Sequence, residues 1–347
     1  MKVLVANTMA PFVWGGAEEL AVHFVRNLRI MGHEAELLRL PFQWDPFDNI
    51  PAEIARFKTM RLPNVDRVIS MKFPAYLLPI ENQTTWLIHQ YRQAYDLWSS
   101  PYSNLPHDWR GELVRDVIRS HDDHYFVNQR KLFTISSEVS RRLKEFNGVD
   151  APALRAPIND PHLFIGGDSY DYIIAPGRIN ASKRQYLLVE AMQYLPSTAR
   201  LIVAGPPETE ADAMRLRNSV AEFNLEDRVI LDMRFLDREE LAEYVNHAVA
   251  VAYLPYHEDS YGYVTMEAFQ ASKPVITTCD AGELLELVTD EHTGLVAEPD
   301  PQSLAACIAQ LFYDRKQAAE MGAAGHALWR SKNITWEANI STLLGLD

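Results

Sequence analysis

A chain of 347 residues, 47% hydrophobic and 23% charged, is long enough for two globular cores and too apolar to be disordered. Its net charge of −14 excludes a general nucleic-acid binder, and its longest apolar runs, such as Ala248–Leu254, fall far short of the roughly 20 residues of a membrane span. Two cysteines, Cys279 and Cys307, lie in no paired or metal-type spacing, so neither a disulfide framework nor a zinc site is implied and a reducing compartment fits.

The opening Met1-Lys2-Val3-Leu4-Val5 has no extended apolar region or cleavage site of the secretory type, and Lys2–Ala6 reads as a first strand. Ala17–Met31 follows as a helix with Leu20, Phe24 and Leu28 on one face, closed by Gly32. Ala35–Leu40, Val65–Ser70, Thr85–His89 and Leu132–Ser136 read as further strands, and Ser136 or Ser137 caps a helix running to about Phe146. The pattern pauses at the proline-bearing stretch Ala156–Pro161, which reads as a linker. It restarts with strands at Tyr172–Ala175, Leu201–Ala204, Arg228–Leu231, Ala248–Leu254 and Pro274–Thr277, with a helix between each and the next, and the tail Thr335–Leu344 reads as helical. Strand–helix alternation of this kind is the signature of a parallel doubly wound sheet. The expectation is therefore an α/β chain of two Rossmann-like domains, 1–160 and 161–332, facing across a cleft, with a C-terminal helix at 333–347 packing back on the first.

The charge is uneven. Residues 1–160 carry 19 basic and 19 acidic side chains, and residues 161–347 carry 14 and 28. The cluster Arg141, Arg142 and Lys144 reads either as a solvated helix face or as a patch approaching an anionic membrane or a phosphorylated acceptor. His121-Asp122-Asp123-His124 reads as a polar helix face rather than a metal site.

Ligands of open parallel sheets bind beyond the carboxyl ends of the strands, and three segments lie there. In Pro255–Phe269, Asp259 and Glu267 are separated by seven residues, with Gly262 between them where a helix would begin. Such a helix start offers unpaired N–H groups to a diphosphate; Glu267, one turn in, suits vicinal ribose hydroxyls, and Asp259 suits sugar hydroxyls. In Gly177–Lys183, Arg178 and Lys183 stand across a loop, and Ser182 caps the helix that carries Lys183. Two cations there can neutralise a leaving diphosphate without a metal. Gly15 and Gly16, after the first strand, let backbone approach a phosphate closely, although the dinucleotide fingerprint is absent.

Taken together, these segments resemble the retaining GT-B glycosyltransferases of glycosyltransferase family 4 (glycosyl transferases group 1), most strongly over Ile173–Val296. The family's Gly-Arg-x4-Lys matches Gly177, Arg178 and Lys183, and its Glu-x7-Glu matches Asp259 and Glu267. Asp280–Val288 resembles the family's Gly-Gly-x-x-Glu-type helix start, Thr293–Val296 the strand after it, and Gly15–Glu18 the family's first loop. Two departures stand out: the first acid is Asp259, a shorter arm, with Glu258 one residue off register, and Glu283 replaces an expected glycine.

The resemblance implies a catalytic set of Arg178, Lys183, Asp259, Glu267 and His89. It implies donor contacts from Gly15, Gly16, Gly177, Gly205, Arg234, Phe235, Ser260, Tyr261, Gly262, Tyr263 and Val264. The expected reaction is retaining transfer from a UDP- or GDP-sugar, a substrate rather than a cofactor, to a glycan, lipid-linked or small-molecule acceptor in cell-surface polysaccharide assembly. No convincing Asp-x-Asp loop follows a strand, so no metal is expected. The expected setting is cytoplasmic, with peripheral contact at the inner membrane face. An inactive sugar-nucleotide-binding protein and a GT-B epimerase or phosphorylase remain alternatives.

Overall fold

Parallel strands covered on both faces are built from near-continuous apolar runs, and those runs set the strands of this chain. The structure, a computed structural model, describes residues 1–346. They divide into two units: Met1–Pro157 with the C-terminal segment from Ile334, and Ile158–Asn333.

In the first unit β1 (Lys2–Met9), α1 (Gly16–Ile30), β2 (Glu34–Pro41), α2 (Ile50–Thr59), β3 (Arg67–Lys72), β4 (Gln83–His89), α3 (Trp109–Asn128), β5 (Leu132–Thr134) and α4 (Ser137–Asn147) follow in order. All the strands are parallel, in the sequence β2-β1-β3-β4-β5, so the winding direction reverses between β1 and β3. Leu20, Phe24 and Leu28 of α1 are all but fully buried, each worth about 1.5–3 kcal/mol of transfer free energy. The α2 helix has no counterpart in the expected element list.

The second unit contains β6 (Tyr172–Pro176), α5 (Gln185–Ala191), β7 (Arg200–Ala204), α6 (Glu210–Glu222), β8 (Val229–Asp232), α7 (Arg238–His247), β9 (Ala250–Ala252), α8 (Tyr263–Gln270), β10 (Val275–Thr278), β11 (Gly294–Ala297), α9 (Pro301–Tyr313) and α10 (Arg315–Ser331). Its parallel order is β11-β10-β9-β6-β7-β8, with the reversal between β6 and β9. The segment expected as a strand over Ala248–Leu254 is a regular strand only over Ala250–Ala252, although the N–H groups of Val249 and Tyr253 still donate to the carbonyls of Tyr172 and Ile276 at 2.9 Å each. The last helix, α11 (Trp336–Leu344), belongs to the first unit. Its Trp336 ring stacks 5.9 Å from Phe24, and Asn339 donates to the carbonyl of Arg155 at 2.7 Å.

Two expectations for the first unit need correction. Asp122 is not on a polar face: it is fully buried and accepts hydrogen bonds from the hydroxyls of Tyr76 (2.8 Å) and Tyr95 (2.9 Å). Burial, partly opposed by those two bonds, pushes its carboxyl up to about 7. In the cluster Arg141, Arg142 and Lys144, Arg142 departs from the solvated face that holds the other two. Arg142 is buried against Glu138 (2.9 Å) and Asp96 (3.5 Å), Arg141 pairs with Glu138 and Glu145, and Lys144 pairs with Asp150. Burial works against the Glu138 carboxylate, yet Arg141 and Arg142 hold it below its ordinary range.

Candidate functional site

The reversal between β6 and β9 opens a crevice beyond their carboxyl ends, because the two crossovers leave on opposite faces of the sheet. The loops after β6, β7 and β9 and the start of α8 all meet there.

The loop after β6 begins at Gly177. Its φ is +112°, and its N–H donates to the carbonyl of Ala204 at 2.9 Å. Gly205, after β7, has φ +139°, and a Cβ there would lie 2.3 Å from the carbonyl oxygen of Gly177. Both positions require glycine, and their contact lets two strand-end loops run side by side. Arg178 reaches toward Glu208 at 3.7 Å.

Lys183 is not on a helix, contrary to the sequence reading. The Asn180 side chain accepts from the Lys183 N–H (3.0 Å) and from the Ser182 hydroxyl (3.0 Å), so these residues form a turn. Helix α5 starts only at Gln185, after Arg184 at φ +54°. The short polar Asn180 side chain competes with helical pairing of the backbone, which delays the helix start. Lys183 Nζ donates to the Tyr253 hydroxyl at 2.7 Å and pairs with the Glu258 carboxylate, which also accepts from Tyr253 at 2.6 Å. Burial opposes ionisation of Glu258, but the Lys183 charge outweighs it and holds that carboxyl below its ordinary range. Burial and the neighbouring Glu258 push the Tyr253 phenol well up.

Of the two adjacent acids, it is therefore Glu258 that contacts Lys183. Asp259 is buried at 7% exposure. Glu258 is fixed through its backbone: its N–H donates to Ala281 at 3.0 Å, and its carbonyl accepts from Glu283 at 3.2 Å. Gly282, at φ +76°, allows this approach, since a Cβ there would meet the Glu258 carbonyl at 2.6 Å. The expected helix start after Asp280 is only a short 3-10 turn over Glu283–Glu286, and Glu283 is buried.

Helix α8 opens at Gly262, whose φ of +70° and contact with the Tyr253 ring leave no room for a side chain. Ser260 Oγ accepts from the Gly262 N–H at 3.3 Å, and Tyr261 donates to Glu286 at 3.0 Å. Val264, one residue after Tyr263 at the helix start, faces Gly177: a Cβ on that glycine would lie 3.9 Å from Val264 Cγ2. Glu267, 2% exposed, pairs with Arg238 at 2.5 Å. Beyond β8, Arg234 is half-exposed between Asp232 (3.0 Å) and Glu240 (2.8 Å), and Phe235 is exposed.

The fold thus gathers Gly177, Arg178, Lys183, Gly205 and residues 258–264 around one strand-end crevice of the second unit. Gly15, Gly16 and His89 belong to the first unit. Gly15 is the N-cap of α1, and Glu18 in its first turn pairs with Lys72 at 2.8 Å. His89 ends β4, and its Nδ1–H donates to the Gln90 carbonyl at 2.6 Å. Among the described residues, no group of three or more His, Cys, Asp or Glu side chains is placed to hold a metal.

Three residues of the site escaped sequence reasoning: Arg184, Arg238 and Tyr253. Arg184 is 4% exposed, and its guanidinium donates to the carbonyls of Leu254 (2.8 Å) and Pro255 (2.9 Å), to Thr278 (2.9 Å) and to both Asp280 oxygens (2.7 Å each). It locks the loops after β6, β9 and β10 together. Burial opposes the Asp280 charge, but Arg184 prevails and lowers that carboxyl. An isolated Arg beside the matched Lys carries no sequence signal of such a role. A cationic rim, glycine-lined backbone and a helix start can together receive an anionic ligand, which would compete with Glu258 for Lys183.

Residues 166–327 match the family described as Glycosyl transferases group 1. The chain is 29% identical over 174 residues to a D-inositol 3-phosphate glycosyltransferase of Xylanimonas cellulosilytica; the match covers 50% of this chain and 40% of that relative, so it spans less than half of the relative's length. Sucrose-phosphate synthase from Thermosynechococcus elongatus superposes with a TM-score of 0.81 at 18% identity, over 99% of this chain and 98% of that one. Anabaena Alr3699/HepE, in complex with UDP and glucose, superposes at 0.76 and 15% identity, over 100% and 99%. The chain thus has two Rossmann-like units in the GT-B fold, and residues 166–327, which supply the strand-end crevice, match the glycosyl transferases group 1 family.

Proposed function

We propose that the chain is a retaining glycosyltransferase that moves a sugar from a UDP- or GDP-sugar to a glycan, glycolipid or small-molecule acceptor. The observation that carries this reading is the convergence of Arg178, Lys183, Gly177, Gly205 and the Gly262 helix start at the β6/β9 reversal. The family match and the UDP held by HepE support it.

In this reading the diphosphate lies against the Gly177 loop and the start of α8, and Arg178 and Lys183 take up the charge that develops on it. Glu267 accepts the ribose hydroxyls, Asp259 the donor-sugar hydroxyls, and Arg234 and Phe235 border the base. A role for His89 and an acceptor site on the first unit rest on the family resemblance alone. The acceptor oxygen bonds to the anomeric carbon on the face from which the diphosphate departs. The anomeric carbon–oxygen bond breaks, and the acceptor proton passes to the leaving phosphate oxygen. Two cations and a helix start supply the charge that a divalent metal would otherwise bring, so the reaction is metal-independent. Retention rests on the family resemblance.

Cell-surface glycan assembly, with peripheral contact at an anionic membrane face, is the proposed setting. No described helix is long and apolar enough to cross a membrane. Flotation with anionic liposomes at low salt tests the contact. Incubation with labelled UDP- and GDP-sugars tests the activity: slow donor hydrolysis, accelerated by an acceptor, is expected. Binding with neither hydrolysis nor transfer would mean a sugar-nucleotide-binding protein instead.

A further inference from the structure

We infer that Arg238 is a positioning residue for donor recognition: it sets the plane of the Glu267 carboxylate for the ribose hydroxyls of a bound nucleoside diphosphate. The inference rests on the proposed reading in which Glu267 takes those hydroxyls.

Glu267 sits in α8 at 2% exposure, and a buried carboxylate without a fixed partner would be costly. Arg238, the first residue of α7, supplies that partner. Its Nη1 donates to Glu267 Oε1 at 2.5 Å and its Nη2 to the carbonyl of Asn159 at 3.0 Å. Its Nε lies 3.6 Å from Asp160 Oδ2, and its guanidinium carbon lies 5.0 Å from the centre of the Phe164 ring. A guanidinium is planar, so contacts on three of its nitrogens and on one face leave it a single orientation. Asn159, Asp160 and Phe164 come from the segment that opens the second unit, and all three are largely buried. Arg238 therefore transmits the placement of that segment to the carboxylate.

The Arg238 N–H takes one lone-pair site on Oε1 of a carboxylate that offers about four. A vicinal diol makes two donated bonds only if the carboxylate plane is already right; otherwise binding must pay for ordering it. The sequence spacing that singled out Glu267 says nothing of this, since Arg238 lies 29 residues away on another helix.

The test is equilibrium binding to the full chain of UDP and 2′-deoxy-UDP, and of GDP and 2′-deoxy-GDP, with Arg238→Gln and Arg238→Lys beside the unaltered protein. The unaltered chain is expected to prefer the ribonucleotide by about 10- to 100-fold, the range of a hydrogen bond to a charged group. Arg238→Gln should bring the ratio to within about threefold, chiefly by weakening the ribonucleotide. Arg238→Lys keeps the charge and loses the fork, so the ratio should stay well below that of the unaltered chain. General damage to the fold would weaken both nucleotides alike, which is why the ratio is the readout. If Arg238→Gln does not fold, Arg238→Lys carries the same comparison. An unchanged ratio in the folded variants overturns the inference and leaves the transferase reading standing. So does a chain that binds the nucleotide without preferring ribose. A chain that binds neither nucleotide overturns both.

Discussion

Replacing Arg184 by Met keeps most of the buried stem and removes the guanidinium. The carbonyls of Leu254 and Pro255 and Asp280 Oδ2 then lose the Arg184 donor, while Asp280 Oδ1 keeps the Thr278 hydroxyl, which donates to it at 2.8 Å. Breaking a buried ion pair by removing one partner costs about 3–5 kcal/mol. Asp280 retains 24% side-chain exposure and the Thr278 hydrogen bond, so part of its charge stays solvated, while the two carbonyls each cost about 1–3 kcal/mol if left unpaired. These terms overlap, and the expected total is about 3–5 kcal/mol. The left-handed backbone at φ +54° strains Arg and Met alike and cancels from the comparison. For a unit of this size the loss corresponds to a fall in Tm of about 6–20 °C. Arg184→Lys should recover less than half, because one ammonium cannot reach acceptors on both of the facing loops. Thermal and urea unfolding of the full chain, followed by circular dichroism, measure both variants. A loss under about 1 kcal/mol for Arg184→Met would refute the claim that this side chain locks the loops.

Arg178→Ala and Lys183→Ala should each lower turnover by on the order of 10²–10³, and near-unchanged rates in both would remove them from the diphosphate site. Activity should survive EDTA; loss restored by Mg²⁺ or Mn²⁺ would end the metal-independent reading. Gly205→Ala should destabilise the second unit by at least about 1–3 kcal/mol and weaken donor binding, since its Cβ would lie 2.3 Å from the Gly177 carbonyl at φ +139°. Asp122, raised from 3.8 to about 7 in the folded chain, binds a proton there that the unfolded chain releases near pH 4. Its protonated form thus favours folding below about pH 4, and the benefit is lost as pH rises to about 7, by up to about 4 kcal/mol in all. Asp122→Asn should flatten the stability profile over that window, and an unaltered slope would exclude this carboxyl as its source.

The α/β class and the succession of parallel strands were legible in the sequence, because strands buried on both faces must be apolar runs and helices between them must carry apolar residues every third or fourth position. Gly177 and Gly262 were picked out by their place just after strands and Gly205 by the family resemblance; at 177 and 205 the structure supplies the reason, since φ of +112° and +139° is open to glycine alone. Strand ends were less legible, as at β9, where a seven-residue apolar run yields a regular strand of three residues, since apolar character marks burial and not where the ladder stops. The turn at Asn180 that keeps Lys183 off the helix depends on one side chain capturing the local backbone, and periodicity does not report that. The choice between Glu258 and Asp259 as the partner of Lys183 was beyond the sequence altogether. Adjacent residues point in different directions, and which one meets Lys183 is set by the backbone pairing of Glu258 with Ala281 and Glu283. Arg184, Arg238 and Asp122 were invisible for the same physical reason. Their partners lie 27 to 96 residues away, and a charged side chain looks exposed in a sequence until the tertiary fold buries it against a complementary group.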